Sequence, residues 1–145
     1  MRYLALDLGT KTCGVAISDK TNILASPLKT IRFQSEDYKT LLVELEDIIK
    51  EKEITNLVIG KPLNMDGSSG FATRRSDYIY EELKKLDINI SFVDERYTSV
   101  FANNILKDLG KSTRGSKKLV DTVSACLILE THLRKIANER KQNNN

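Results

Sequence analysis

The sequence predicts an α/β fold: a five-stranded mixed sheet in the order βββαβαβαα, with helices on both faces. Three observations carry this. Three strand-like runs follow one another at the start, joined by short polar connections. Stretches of helical period then alternate with short apolar runs. The last third holds two further stretches of helical spacing, separated by a loop.

The elements follow in order. Residues 2–8, 13–19 and about 22–32 read as consecutive strands, with Gly9 to Thr12 as a hairpin connection and Asn22 at the second turn. Three strands in a row make an antiparallel meander. Glu36 and Asp37 suit the first turn of a helix, where acids complement the dipole. Leu41, Leu42, Leu45, Ile48 and Ile49 then recur at helical spacing. Asn56 to Gly60 is a short buried strand, and Ile79, Leu83 and Leu86 mark a second helix. Ile88 to Asp94 is a fifth strand. Thr98 or Ser99 can cap a third helix that closes at Gly110. A final helix runs from about Lys117 to Ile136, and the polar end through Gln142 to Asn145 frays. Strands separated by helices pair in parallel. The whole is one domain over residues 1–138, with a polar tail at 139–145.

Bulk properties exclude several classes. A chain of 145 residues can bury a real core. No apolar run approaches the ~20 residues of a membrane span. A strand begins at once, which argues against a secretory leader and for a cytoplasmic protein. Cys13 and Cys126 lie far apart, lack metal-ligand spacing and read as small core hydrophobes. His132 is the single histidine, so it cannot build a zinc site and reads as structural. The net charge of +3 is modest. Its distribution says more: Lys107, Lys111, Arg114, Lys117 and Lys118 crowd a segment whose only acid is Asp108, and Gly110 to Ser116 reads as a basic loop.

Ligands of open α/β sheets collect outside the carboxyl ends of the parallel strands. Asp7 ends the first strand, beside a turn with Gly9 and Gly14 for tight geometry and Thr10, Lys11 and Thr12 as donors. Strand four ends in Gly60-Lys61-Pro62-Leu63-Asn64-Met65-Asp66-Gly67, and strand five in Asp94-Glu95-Arg96. A carboxylate at a buried strand end is costly unless paired, and a hard cation is one partner. Two divalent ions about 4 Å apart can clamp the attacking and leaving oxygens of a phosphodiester. Asp7, Glu95 and Asp121 supply carboxylates from three separate elements, with Asp19, Asp66 and Asp94 in reserve. Asp94 and Glu95 alternate faces if the strand runs through both, so one of them joins the site. Asp121 is either a first-turn dipole partner or a metal ligand.

These residues resemble the YqgF family, also called RuvX, of ribonuclease-H-like resolvases and pre-ribosomal-RNA nucleases. The matching pieces are Ala5 to Gly9 with Gly14 to Ala16 and Ser18-Asp19, Gly60 to Gly67, Asp94 to Ser99, and Asp121 to Ala125 with Ile128-Leu129. They stand in order and span nearly the whole chain. The resemblance implies a ribonuclease-H-like fold and a metal-dependent endonuclease. Asp7, Glu95 and Asp121 match its catalytic acids, and Mg2+ or Mn2+ its ions. Lys117 and Lys118 match its basic loop. Lys61 departs from a position that is often apolar in the family. On this reading Lys11, Arg96, Lys111, Arg114, Lys117 and Lys118 hold a structured RNA, in ribosomal RNA processing, or a branched DNA.

Two other functions compete. The turn at Asp7 to Thr10 is similar to the first phosphate loop of sugar kinases and actin, but those enzymes close two such domains around ATP and this chain has one. A non-catalytic nucleic-acid-binding module of the same fold is disfavoured, because all three acids are present.

Overall fold

The computed structural model describes residues 2–22, 24–61, 71–94 and 113–143, without the side chains of 71–73, 113–122 and 143. Its strands are β1 (Arg2–Leu8), β2 (Thr12–Ser18), β3 (Ala25–Arg32), β4 (Ile54–Lys61) and β5 (Asn89–Asp94). Its helices are α1 (Tyr38–Glu51), α2 (Phe71–Leu83) and α3 (Thr113–Asn143). The sheet order is β3-β2-β1-β4-β5. β1 pairs antiparallel with β2, and β2 with β3; β1 pairs parallel with β4, and β4 with β5. This is the mixed five-stranded sheet that the sequence predicts.

Strand alternation sorts the apolar residues into two layers. Leu4, Leu6 and Leu8 of β1, with Leu57 and Ile59 of β4, pack against the buried stripes of α1 and α2. Ala5, Ala16 and Val58 turn the other way and meet Ala125, Ile128, Leu129 and Leu133 of α3. Leu57-Val58-Ile59 of β4 form an unbroken apolar run because helices cover both faces of the strand. β3 lies on an edge, where Pro27 and the charge of Lys29 suit a strand that must not recruit another.

Several boundaries differ from the sequence reading. Asp37 is the N-cap of α1, accepting from the Thr40 amide at 3.4 Å and the Thr40 hydroxyl at 2.7 Å. Glu36 stands outside the helix with φ 61°. The first turn of α1 therefore carries no acid. α3 begins at Thr113, so Thr113 to Ser116 belong to a helix and not to a loop. Gly115 costs little there, because the amides of a first turn need no helical partner. α3 also runs to Asn143, past the expected end at Ile136 and into the expected tail. The helix expected between Thr98 and Gly110 lies outside the described residues. Among the described residues, no helix is long and apolar enough to cross a membrane.

Candidate functional site

Asp7 lies one residue from the carboxyl end of β1, half-buried, on the face that carries α3. Its strand neighbours explain how a carboxylate fits there. Gly14 of β2 pairs directly with it. On the other side, one step beyond the Leu6–Ile59 pair, stands Gly60 of β4. Neither contributes a side chain, so the carboxylate is flanked by backbone on both sides. Sequence inspection noted both glycines but not that they flank the same acid; the sheet order supplies that.

The turn after β1 is held firmly. The Gly9 amide donates to the Thr12 carbonyl at 2.7 Å. A Cβ on Gly9 would lie 3.1 Å from that oxygen and 3.3 Å from the Thr12 hydroxyl, tighter than a side chain normally packs. From the β3–α1 connection, the Phe33 amide donates to the Lys11 carbonyl at 3.0 Å and the Glu36 amide to the Thr10 carbonyl at 2.8 Å. The Lys11 side chain is exposed at the tip.

α3 approaches this end of the sheet from the face that Asp7 shares. His132 packs its ring on Tyr3 at 5.7 Å. Burial lowers the His132 pKa, with Lys135 adding to the effect and Glu139 opposing it, as suits a structural imidazole. Asp121 precedes His132 by eleven residues, roughly 16 Å of helix. From Tyr3 to Asp7 is four residues of strand, roughly 13 Å. A helix running back along β1 from the His132–Tyr3 contact would carry backbone position 121 toward the tip of β1. Position 121 stands one turn before Ala125, which packs on Ala5 and Ala16.

The reserve acids separate. Asp94 follows Val93, which packs in the α3 layer, so Asp94 belongs to the opposite face. Its strand partner is Lys61. The Lys61 ammonium pairs with Asp77 of α2 at 3.4 Å and lies 5.0 Å over the Phe92 ring. The residue that departs from the family pattern thus ties β4 to α2. Asp19 follows β2, at the opposite end of the sheet from the tip that carries Asp7. It accepts from the Thr21 hydroxyl at 2.7 Å and the Leu24 amide at 3.3 Å, which organises the β2–β3 turn. Neither Asp19 nor Asp94 joins Asp7.

Glu95, Arg96, Asp66 and Lys111 lie outside the described residues. Arg114, Lys117 and Lys118 lie on the first turns of α3, and their side chains, like that of Asp121, are not described. Among the described residues, no three His, Cys, Asp or Glu side chains form a group that could hold a metal ion. Asp7 does suit a hard cation: it offers carboxylate oxygens at a strand end, beside two residues without side chains. Burial pushes the Cys126 thiol up to about 11, so it stays protonated.

Sequence reasoning offers Arg74 and Arg75 only as a fallback basic surface and misses the cleft that they line. This cleft of about 450 Å³ opens beside Thr10 on the α1–α2 side, lined also by Glu36, Tyr38, Arg74, Arg75 and Tyr78. The signal was present, since Tyr38 opens α1, and Arg74 and Arg75 lie in the first turns of α2. Only the topology shows that both helices start at one edge.

Comparison with known proteins agrees with this architecture. The chain is 41% identical over 136 residues to a candidate pre-16S rRNA nuclease of Lactobacillus johnsonii, covering 92% of this chain and 95% of the relative. It is 38% identical over 142 residues to the protein of that name from Ruminiclostridium cellulolyticum, covering 97% and 99%. The fold is similar to that of the fowlpox virus resolvase solved with Holliday junction DNA, at TM-score 0.57 and 16% identity over 94% of this chain and 99% of that one. It is similar also to Thermus thermophilus RuvC with its junction substrate, at TM-score 0.57 and 9% identity over 88% and 92%. The family model described as RuvX, Holliday junction resolvase, matches residues 1–135, and with that match the chain belongs to the RuvX family.

Proposed function

We propose that the protein is a metal-dependent endonuclease that hydrolyses phosphodiester bonds in structured nucleic acid, and that its substrate is the 5′ end of a 16S ribosomal RNA precursor. The observation that carries this is Asp7 at the carboxyl tip of β1, between Gly14 and Gly60, on the face that carries α3. The names of relatives 38–41% identical support the RNA substrate.

Asp7, Glu95 and Asp121 are the residues that would hold Mg2+ or Mn2+. Bound there, the ion would supply Lewis acidity toward a phosphate oxygen and offset the charge developing on it. Strand alternation supports Glu95 over Asp94, because Val93 and a residue two further on share a face wherever the strand continues. Gly14 and Gly60 leave the floor beside Asp7 low enough for a phosphate group to approach. Lys11, Arg96, Lys111, Arg114, Lys117 and Lys118 hold the backbone through phosphate contacts, which position a substrate without reading its sequence. A reducing cytoplasm suits Cys13 and Cys126, which are thiols and not a disulfide.

The family description favours a second reading, cleavage of a four-way DNA junction. One experiment separates the two. Purified protein is given a 5′-extended 16S precursor and, separately, a junction of matched length, each in Mn2+, in Mg2+ and in chelator. Metal-dependent cutting of the RNA alone supports the first reading, and of the junction alone the second. Cutting in chelator, or of neither, rejects the nuclease.

A further inference from the structure

The cleft beside Thr10 lies across the tip of β1 from Asp7, on the opposite face of the sheet. Its lining combines two chemistries. Arg74 and Arg75 bring two guanidinium groups to the start of α2. Phe33, Tyr38 and Tyr78 form a run of tilted rings, with centroids 5.7 Å apart for the first pair and 6.2 Å for the second. The run ends in solvent, where Tyr78 is 38% exposed. Tyr38 is partly buried, and Arg75 stands near enough to its hydroxyl to work against the upward pull of burial on the Tyr38 pKa.

One acid, Glu36, shares the lining. Its neighbour Asp37 lines a separate hollow that shares Glu36, Tyr38 and Tyr78, and its carboxylate is committed to capping α1. The charged side of the cleft is therefore α2, and the aromatic side runs from α1 to Tyr78. Guanidinium groups beside an exposed ring match a phosphate backbone with an unstacked base next to it. A duplex offers no such base.

We propose that this cleft binds a single-stranded extension of the nucleic acid, with Arg74 and Arg75 on its phosphates and one base stacked on Tyr78. The inference rests on the nuclease reading above and adds a second contact region to it. Thr10 of the β1–β2 turn lies on the cleft side and Asp7 of β1 on the other, so a strand passing over the tip reaches both. Single-stranded tails next to a folded element are then the preferred substrates. A blunt duplex engages only the α3 side.

The test uses the full chain, a fluorescein-labelled single-stranded oligoribonucleotide and a blunt RNA duplex, with binding read by anisotropy over a salt series. In the R74A/R75A variant, single-strand binding should weaken about tenfold or more. The log–log salt slope should flatten by ~1.4, from two phosphate contacts at ~0.7 each. Tyr78→Ala should weaken single-strand binding by about fivefold to a hundredfold, while Tyr78→Phe, which keeps the ring, stays within about twofold of wild type. Duplex binding should move little in any of them. Circular dichroism checks the fold, and Tyr78→Leu and Arg75→Gln serve as milder replacements.

A wild-type chain that binds and cuts RNA, with variants whose single-strand affinity and slope are unchanged, overturns the cleft and leaves the nuclease reading intact. A wild-type chain that binds no nucleic acid overturns both. An oligoglutamate peptide that binds more tightly than the oligonucleotide, and loses that binding in R74A/R75A, makes the cleft a peptide site and also overturns the assignment.

Discussion

Asp7 and Gly14 face each other across the antiparallel β1–β2 pair, so β1 brings the candidate catalytic carboxylate and β2 leaves a gap beside it. Asp7→Asn keeps the shape and removes the charge. Cleavage should fall by more than about a hundredfold, since even residues that only orient a metal ligand cost ~10–100-fold. Thermal stability in chelator should stay level or rise, because like charges gathered at one site repel. Calorimetric titration with Mn2+ and a melting curve check the two halves; full activity in this variant would remove Asp7 from the chemistry.

The gap itself can be filled. Gly60→Ala places a methyl group beside Asp7 on the α3 face. Activity should drop about tenfold or more, while the circular dichroism spectrum keeps its shape. Single-turnover cleavage measures the loss. Wild-type rates would mean that no ligand uses this space.

Asp94 and Glu95 should part company. Asp94 belongs to the layer of Lys61 and Phe92, so Asp94→Asn should act through local structure and keep most of the cleavage rate. Glu95→Gln should abolish cleavage and weaken metal binding. A dead Asp94→Asn beside an active Glu95→Gln would reverse the assignment.

His132 should make stability depend on pH. Its folded-state pKa is lowered from the ordinary 6.5, chiefly by burial. The unfolded chain therefore binds the proton more readily. The stability from the neutral ring is complete above pH 6.5, declines as pH falls below that, and levels off beneath the folded-state value. Melting temperatures from pH 8 to 5 should fall more for wild type than for His132→Phe. Parallel curves would show that the ring contributes nothing to the dependence.

The basic segment can be tested by charge removal. Replacing Lys111, Arg114, Lys117 and Lys118 with Ala should flatten the salt dependence of binding by ~0.7–0.9 per lost phosphate contact and leave Mn2+ affinity intact. An unchanged slope would assign these side chains to solubility alone.

The core was legible in the sequence because it is periodic. Leu4, Leu6 and Leu8 alternate with Tyr3, Ala5 and Asp7, and α1 repeats its leucines and isoleucines at helical spacing. The limits of α3 were not. Its start holds Gly115 and Ser116, which read as a loop, although a helix's first turn tolerates both. Its end holds Ala137, Glu139, Arg140 and Lys141, good helix formers with no apolar stripe to announce them. Asp37 was legible as an acid near a helix start, but its role as cap and not first-turn residue depends on one dihedral. Asp94 stayed ambiguous because alternation separates two faces without saying which one carries Asp7. The cleft escaped because its lining comes from three distant segments.

The amides of Phe33 and Glu36, bonded to the carbonyls of Lys11 and Thr10, have a consequence for how the molecule breathes. The β1–β2 turn should therefore open together with the entry to α1 in hydrogen exchange. Glu36 reaches Thr10 from a left-handed backbone, which a residue other than glycine adopts at some cost. Part of the folding free energy is thus held at the joint between the β1–β2 turn and the entry to α1. Substitutions at positions 33 to 36 would surface as a change in how faithfully the catalytic end keeps its shape, although none of them is a candidate metal ligand.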